Sequence, residues 1–241
     1  MRDTWTRVSI VEPPTLFQRR LFSSDEFEHM GPLTIVAECA ELFDGCVTDH
    51  TGDGRPHCWT YEQYAAMAEA GILAADERIE LIEGEIVCMP PEGPRHISAV
   101  GELAVRLGEW MSDGTALRVE SLLLFNRVEA LRPDIVLLRA REDRDRSREP
   151  GPWDALLVVE VEESSLDTDR EVKGPKYARA AIPEFWLVDV NGVSVTVYLN
   201  SVGGEYTDVR TYGPGESYVS PALEGRTVSV DEALGLPLPP R

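Results

Sequence analysis

The stretch VVEVEESSLDTDREVKGPKYARAAIPEFWLVD, residues 158–189, decides the fold of this protein. It sets an apolar strand against a polar loop, a short helix and a second apolar strand. Glu160 and Glu162 both lie on the first strand. A lone carboxylate moved out of water costs several kcal/mol unless a cation or strong donors meet it. The strand therefore needs a partner from elsewhere in the chain, and a metal ion is one candidate.

A second carboxylate opens another apolar strand. Asp134 follows Pro133 and begins the run DIVLL. Side chains change face at every residue of a strand, so Glu160 and Glu162 share one face while Val161 points into the opposite layer. Carboxylate oxygens on neighbouring strands suit magnesium, which keeps several waters and bridges to phosphate. The pattern indicates a site for Mg²⁺ (or Mn²⁺).

Helix and strand signals alternate through the rest of the chain. Thr60, with Gln63 three positions later, forms a capping box that opens a helix ending near Gly71. Glu83 and Gly84 stand between two apolar runs and indicate a tight hairpin. The other predicted elements are a helix over 96–113, strands over 116–127, 134–140, 155–163 and 184–190, and a hairpin over 193–212. This order predicts an α/β fold with a mixed β-sheet flanked by helices.

The domain organisation follows from the same signals. Residues 1–57 mix Pro, His, Asp and Gly with one apolar run, LTIVAECAELF, at 33–43. We expect this region to be a weakly structured N-terminal arm. From residue 58 onward the helix and strand signals sharpen, and we expect residues 58–241 to form one domain.

Composition limits the classes of function. The 23 basic and 43 acidic residues give a net charge of −20, which argues against a broad basic surface for nucleic acid. Acid clusters can be neutralised by metal ions, and basic loops can be confined to one rim. No apolar run approaches the ~20 residues needed to span a bilayer, and the amino terminus lacks the layout of a secretory signal. We expect a cytoplasmic protein with no membrane partner.

The cysteines are even in number but irregular in spacing. Without an export signal, this favours free thiols over a disulfide framework. With the nearby histidines they match no compact zinc pattern, so we expect no zinc site. The residues concerned are Cys39, Cys46, His50, His57, Cys58 and Cys88.

Arg132-Pro-Asp134 and Glu160-Val-Glu162 resemble the PD-(D/E)XK signature of restriction-endonuclease-like nucleases, with Glu162 where the signature has lysine. Surrounding motifs extend the resemblance to the Uma2 family (DUF820), a bacterial group of restriction-endonuclease-like proteins, over roughly residues 59 to 235. These motifs are ELIEGEI, a following His96, RPDIVLL, LLVVEVEESS, Asp169-x-x-x-Lys173-x-x-x-Tyr177 and AAIPEFWLVD.

The resemblance implies a restriction-endonuclease-like domain over residues 58–241 and a set of site residues. Asp134 and Glu160 would be metal ligands, with Glu80 completing the site from the hairpin. In this family the strand lysine is typically absent, and the lysine of the next helix takes its place. Lys173 would then orient the attacking water or stabilise the pentacovalent phosphate.

Other residues are assigned supporting roles. Gly174 and Pro175 directly follow Lys173, so we expect the helix to start near residue 174 and leave Lys173 on its entry loop. Lys176 is the alternative amine. Glu162 and His96 are candidates for support of the site.

Two functions are compatible with these residues. The first is a Mg²⁺-dependent endonuclease that hydrolyses phosphodiester bonds of DNA, working as a homodimer. The second is a catalytically degenerate nuclease-fold protein that acts as a binding or assembly module, which the substituted strand lysine and the acidic composition favour. Tyr177 and Trp186 lie in apolar periodicity, and we assign both to the core.

Overall fold

The protein is described here from a computed structural model. Its described residues are 18–31, 41–43, 46–48, 57–143, 147–163 and 169–235. Within these ranges, no helix has the length and apolar character needed to cross a membrane.

Strands dominate the described residues. In chain order they are β1 (Gln18–Arg19), β2 (Glu41–Phe43), β3 (Cys46–Thr48), β4 (Ile79–Ile82), β5 (Glu85–Cys88), β6 (Thr115–Val119), β7 (Leu123–Asn126), β8 (Glu129–Leu131), β9 (Ile135–Arg139), β10 (Ala155–Glu162), β11 (Glu184–Asp189), β12 (Ser194–Val202), β13 (Glu205–Tyr212), β14 (Ser217–Ser220) and β15 (Arg226–Ser229). The α-helices are α1 (Ser24–Met30), α2 (Tyr61–Glu69), α3 (Pro94–Trp110), α4 (Gly174–Arg179) and α5 (Val230–Ala233). A π-helical turn, Asp169–Lys173, directly precedes α4.

The central sheet has six strands in the order β13-β12-β11-β10-β9-β6. β10 and β11 are parallel, with α4 in the connection between them, and the other pairs are antiparallel. The sheet is therefore mixed, and helices flank it. This confirms the predicted α/β fold with a mixed sheet.

Each face of the central sheet has its own apolar core. On one face, α3 packs Leu103 and Leu107 against Val159 and Val161 of β10. The other face, which includes Val158, is covered by α4 and by a second sheet. Because Glu160 has the same parity as Val158, its side chain belongs to the α4 face.

The second sheet has the order β1-β5-β4-β8-β7. Its β4-β5 hairpin turns through Glu83 at φ 53° and Gly84 at φ 80°, the two positive φ angles of a type I′ turn. This confirms the hairpin predicted from Glu83 and Gly84. A Cβ on Gly84 would lie 2.3 Å from the Cys58 sulfur, so this glycine is required for its close approach as well as for its backbone conformation.

The described parts of the N-terminal region contact the second sheet. β1 pairs with β5, and Phe22 and Met30 are buried in one cluster with Trp59. Ser23 and Glu26 form the capping box of α1. The domain boundary near residue 57 stays a prediction.

Most predicted elements lie where the sequence indicated. The Thr60 capping box opens α2, and the predicted 96–113 helix is α3. The prediction of a single strand over 116–127 was wrong. These residues form two strands, β6 in the central sheet and β7 in the second sheet. Between them Glu120 has φ 46°, so the chain turns out of one sheet and enters the other.

The cysteine predictions fall partly on described residues. Cys58 and Cys88 are free thiols, as expected. Cys39, His50 and most of the apolar run 33–43 lie outside the described residues, as do residues 164–168 of the opening stretch.

Candidate active site

Asp134 and Glu160 are neighbours across β9 and β10. The antiparallel register pairs Val158 with Val136 and Val159 with Ile135, so one step further brings Glu160 opposite Asp134. Residues opposite each other on adjacent strands share a face, with Cβ atoms about 5 Å apart. Both carboxylates are buried, and Asp134 Oδ2 accepts a 2.6 Å hydrogen bond from the Val161 amide.

Lys173 lies between two of the carboxylates. Its Nζ is 3.3 Å from Glu160 Oε1 and 3.2 Å from Glu80 Oε1. Lys173 is only 3% exposed, so this is a buried ion cluster. The π-helical turn that ends at Lys173 places it here, on the last residue before α4 rather than on an open entry loop. Glu80 also accepts a 3.1 Å bond from the Arg132 amide.

Tyr177 belongs to the same cluster. Its hydroxyl donates a hydrogen bond to Glu160 Oε1. Lys173 and Tyr177 are four residues apart, so they face the same way from consecutive helical turns. The sequence analysis placed Tyr177 in the core, and its ring does pack against Phe185. The four-residue spacing was the signal that could have assigned its hydroxyl to the site.

Burial dominates the electrostatics of the cluster. It raises the pKa of Glu160 to about 8; the Lys173 charge opposes this rise, while Asp134 and Glu80 add to it. For Lys173, burial alone would lower the pKa, but the three carboxylates outweigh it and the net pKa is raised. The ammonium therefore stays charged at neutral pH. Three carboxylates face this one ammonium, so fully ionised they carry an excess of negative charge.

His96 and Glu92 lie on the other side of Asp134. His96 Nε2 is 3.3 Å from Asp134 Oδ1 and 3.1 Å from Glu92 Oε1. Ligand atoms of these three residues all lie within 4.8 Å of one another. Burial would lower the pKa of His96, but the close Asp134 carboxylate, the charge of Glu92 and the Val161 backbone together raise it. Glu92 was missed in the sequence, although its four-residue spacing from His96 was visible.

The start of α3 fixes the position of His96. Pro94 occupies the first turn, where its missing N–H costs nothing. The helix has no capping side chain of its own; instead Glu163, just after β10, accepts a 3.3 Å bond from the His96 amide. A Cβ on Gly93 would lie 1.9 Å from the Glu163 carboxylate. Glycine at this position thus lets the end of β10 meet the start of α3.

Of the other predicted supporting residues, Lys176 lies away from Glu160, and Glu162 lies on the same strand as Glu160. The Lys176 ammonium is 2.7 Å from Glu83 and 2.5 Å from Glu129, so it joins α4 to the second sheet and not to Glu160. Glu162 is buried at the end of β10, two residues beyond Glu160 on the same face.

A mixed sheet with buried acids on adjacent strands, and a buried lysine at the start of the following helix, defines a restriction-endonuclease-like protein. The sequence profile of the Uma2 family, described as "Putative restriction endonuclease", matches residues 61–231. The chain therefore belongs to the Uma2 family.

The comparison with solved structures agrees on the fold. A crystal structure from Anabaena variabilis, described as "a putative nuclease belonging to DUF820", matches with a TM-score of 0.52 and 16% sequence identity. The match covers 65% of this chain and 89% of that chain. At this identity the likeness supports the fold alone. None of the curated proteins matches the sequence.

Proposed function

We propose that this protein is a divalent-metal-dependent endonuclease that hydrolyses phosphodiester bonds of DNA. The observation that carries the proposal is the Lys173 ammonium, buried between Glu80 and Glu160 beside Asp134. Three buried acids around one lysine are a costly arrangement for stability alone. Buried ionisable groups with raised pKa values are typical of functional sites.

The residues fit a divalent ion. Asp134 and Glu160 are the proposed ligands, with Glu80 as a third, and Mg²⁺ or Mn²⁺ as the ion. Within the part of the chain that the structure describes, Glu80 Oε2 is buried without a hydrogen-bond partner, which leaves an oxygen for a cation. Such an ion supplies positive charge to the phosphate and lowers the pKa of bound water.

The protein's own groups have separate roles in this proposal. The Lys173 ammonium stays protonated, so it orients the attacking water and offers positive charge to the phosphate oxygens as the pentacovalent geometry forms. Tyr177 holds the Glu160 carboxylate in one orientation through its hydroxyl. Asp134 is held in place by the Val161 amide. The buried site keeps bulk water from competing for these charges.

The alternative, a degenerate nuclease fold that serves as a binding module, drew on the missing strand lysine. Lys173, which directly precedes α4, places an ammonium 3.3 Å from Glu160. The missing strand lysine is therefore no longer an argument for a degenerate site. DNA is the proposed substrate because the family description names restriction endonucleases. Cutting both strands requires two sites, so we also propose a homodimer, to be measured by sedimentation velocity; a monomer at working concentration would refute it.

Plasmid cleavage tests the proposed function. Supercoiled DNA is incubated with the wild type and Mg²⁺ or Mn²⁺, and with chelator as a blank. We expect metal-dependent nicking or linearisation, abolished in Asp134→Asn and reduced by roughly 100-fold or more in Lys173→Met, because one electrostatic donor at a reacting phosphate contributes on that order.

Lys176→Met is the matched control, since this lysine is equally buried and doubly ion-paired but lies outside the cluster. Its loss should lower stability while activity of the folded fraction persists. Circular dichroism and thermal melts establish the folded fraction of each variant. Absence of cleavage by the wild type with either ion, or unchanged cleavage by folded Lys173→Met, would refute the proposal.

A further inference from the structure

We infer that Glu92, His96 and Asp134 form a divalent-cation site of their own, which selects first-row transition ions such as Zn²⁺ over Mg²⁺. The site shares Asp134 with the proposed function but not its other residues. It lies on the α3 side of Asp134, whereas Lys173 and Glu160 lie on the α4 side.

The geometry is that of a closed ligand set. His96 Nε2 lies 3.1 Å from Glu92 Oε1 and 3.3 Å from Asp134 Oδ1, and all three ligand atoms lie within 4.8 Å of one another. Two metal–ligand bonds of about 2.1 Å span at most about 4.2 Å, so an ion bound here would draw the ligand atoms slightly closer together. Glu92 and His96 come from one short segment at the start of α3, and Asp134 comes from the strand behind it. The protein thus presents two carboxylates and one imidazole to a common point.

The contacts of His96 leave room for a stronger partner. Its side chain is 9% exposed, and its Nε2 is aimed at Glu92 and Asp134 at ion-pair distances. Among the described residues, neither contact has the geometry of a hydrogen bond. Glu92 Oε1 also lacks a hydrogen bond in the same part of the chain, and its contacts are ion pairs with His96 and with the partly exposed Arg78. A cation bound between these buried atoms would satisfy both of them.

Acids outnumber cations around the site. Among the described residues, the combined cluster has four carboxyl groups, contributed by Glu80, Glu92, Asp134 and Glu160. Two cations contact them: Lys173, and Arg78, which forms an ion pair with Glu92. Bound cations would favour the ionised form of the carboxyl groups. Arg78 is 37% exposed, so it can swing away from Glu92 without leaving a buried charge.

The donor types set the choice of ion. Magnesium prefers an all-oxygen shell with several waters, whereas an imidazole nitrogen suits Zn²⁺, Fe²⁺, Ni²⁺ and Cu²⁺. Mn²⁺ also favours oxygen ligands and is the weakest-binding ion of this series, so it serves here as the spectroscopic probe. The Glu163 cap at the His96 amide and the Val161 amide on Asp134 hold two of the three ligands in place. Fixed supports of this kind are typical of metal ligands.

Metal titration of the full chain tests the site. Mn²⁺ alone is titrated into the metal-free wild type, Glu92→Gln, His96→Ala and Glu160→Gln by calorimetry, and the bound Mn²⁺ is examined by pulsed EPR. We expect a binding event with nitrogen coupling from the imidazole, lost or weakened by at least ~10-fold in Glu92→Gln and His96→Ala and kept in Glu160→Gln. A second event without nitrogen coupling, lost in Glu160→Gln, would belong to the proposed Asp134–Glu160 site. His29→Ala, an exposed histidine on α1, is the control and should bind like the wild type.

Three results would overturn the inference: no nitrogen-coupled Mn²⁺ binding by the wild type, a nitrogen-coupled event indifferent to both Glu92→Gln and His96→Ala, or loss of the nitrogen-coupled event in Glu160→Gln. Glu92→Gln keeps the inference testable if His96→Ala fails to fold, because Glu92 lies outside the core clusters. DNA cleavage is not a readout here, so failure of this site and failure of the proposed nuclease activity are scored separately.

Discussion

The Glu160 carboxylate receives hydrogen bonds from two side chains of one helical segment, the Lys173 ammonium and the Tyr177 hydroxyl. Both donors converge on Oε1. Because Glu160 is only 1% exposed, no bulk water replaces a donor that is removed. Each donor therefore contributes both to stability and to the orientation of the acid.

Tyr177→Phe separates these two contributions. The change removes one hydroxyl and keeps the ring that packs against Phe185. Leaving a buried acceptor short of a donor costs about 1–3 kcal/mol, so we expect that loss in the free energy of unfolding, measured with urea. We also expect slower DNA cleavage, because Glu160 is no longer held in one rotamer.

Tyr206→Phe is the control for that variant. The Tyr206 hydroxyl donates a 3.0 Å bond to the Ile182 carbonyl, outside the acid cluster. Tyr206→Phe should lower the free energy of unfolding by a similar amount and leave the rate of DNA cleavage unchanged. Equal cleavage rates in folded Tyr177→Phe and Tyr206→Phe would contradict the positioning role of Tyr177.

The sequence alone indicated part of this site. Asp134, Glu160 and Lys173 were recognisable because buried acids in apolar strands are anomalous and because their spacing resembles a family signature. Tyr177 and Glu92 were missed although each stands four residues from a site residue, since an aromatic in an apolar pattern and an acid in a Pro-Gly loop are both ordinary. Their roles depend on which way the start of each helix faces, and that is set by tertiary contacts such as the Glu163 cap on α3.

At the scale of elements, helices and hairpins with local signals were predictable and sheet membership was not. The Thr60 capping box and the Glu83-Gly84 turn are determined by residues that are close together in the sequence. The division of 116–127 into β6 and β7 depends on distant residues instead. Both strands are apolar and only their partners differ, since β6 pairs with β9 and β7 with β8. Pairing between distant strands leaves little trace in a single sequence.

Helix α1 offers a test of whether the described N-terminal residues unfold together with the rest. Hydrogen bonding to Arg20 lowers the pKa of Glu26 to about 2, against an ordinary value of 4.5. A lowered pKa in the folded state means that the carboxylate stabilises the fold above about pH 4.5, and that this contribution is lost as the pH falls toward 2. Glu26→Gln should therefore destabilise the protein near neutral pH, by about 1 kcal/mol after allowance for solvent screening, and this effect should shrink steadily as the pH falls toward 2.

Tryptophan fluorescence during urea unfolding provides the measurement, because Trp59 packs against Phe22 at the start of this segment. Glu28→Gln, on the exposed side of the same helix, is the control and should show no such dependence on pH. A Glu26→Gln variant as stable as the wild type at every pH would mean that α1 lies outside the cooperative unit.

At the scale of the whole molecule, the net charge of −20 sets the protein apart from most nucleic-acid-binding proteins. Basic proteins bind DNA by releasing its counterions, so their affinity falls as salt is added. Here the long-range field of the protein repels DNA, the proposed substrate, while the site holds a small number of positive groups. The net charge therefore repels DNA at long range, whereas the positive groups of the site attract it at short range.

Salt separates the two effects. Between ~0.01 M and ~0.1 M the Debye length falls from about 30 Å to about 10 Å, which screens repulsion between whole molecules more than contacts within the site. We expect the association rate constant with a short DNA duplex to rise over this range, measured by stopped-flow anisotropy in chelator so that no cleavage occurs. An oligonucleotide of the same sequence with an uncharged backbone should associate at a rate independent of salt. A rate constant for DNA that falls steeply with salt would mean that a basic surface guides the encounter despite the acidic total, and the entry path to Lys173 would then have to be sought along that surface.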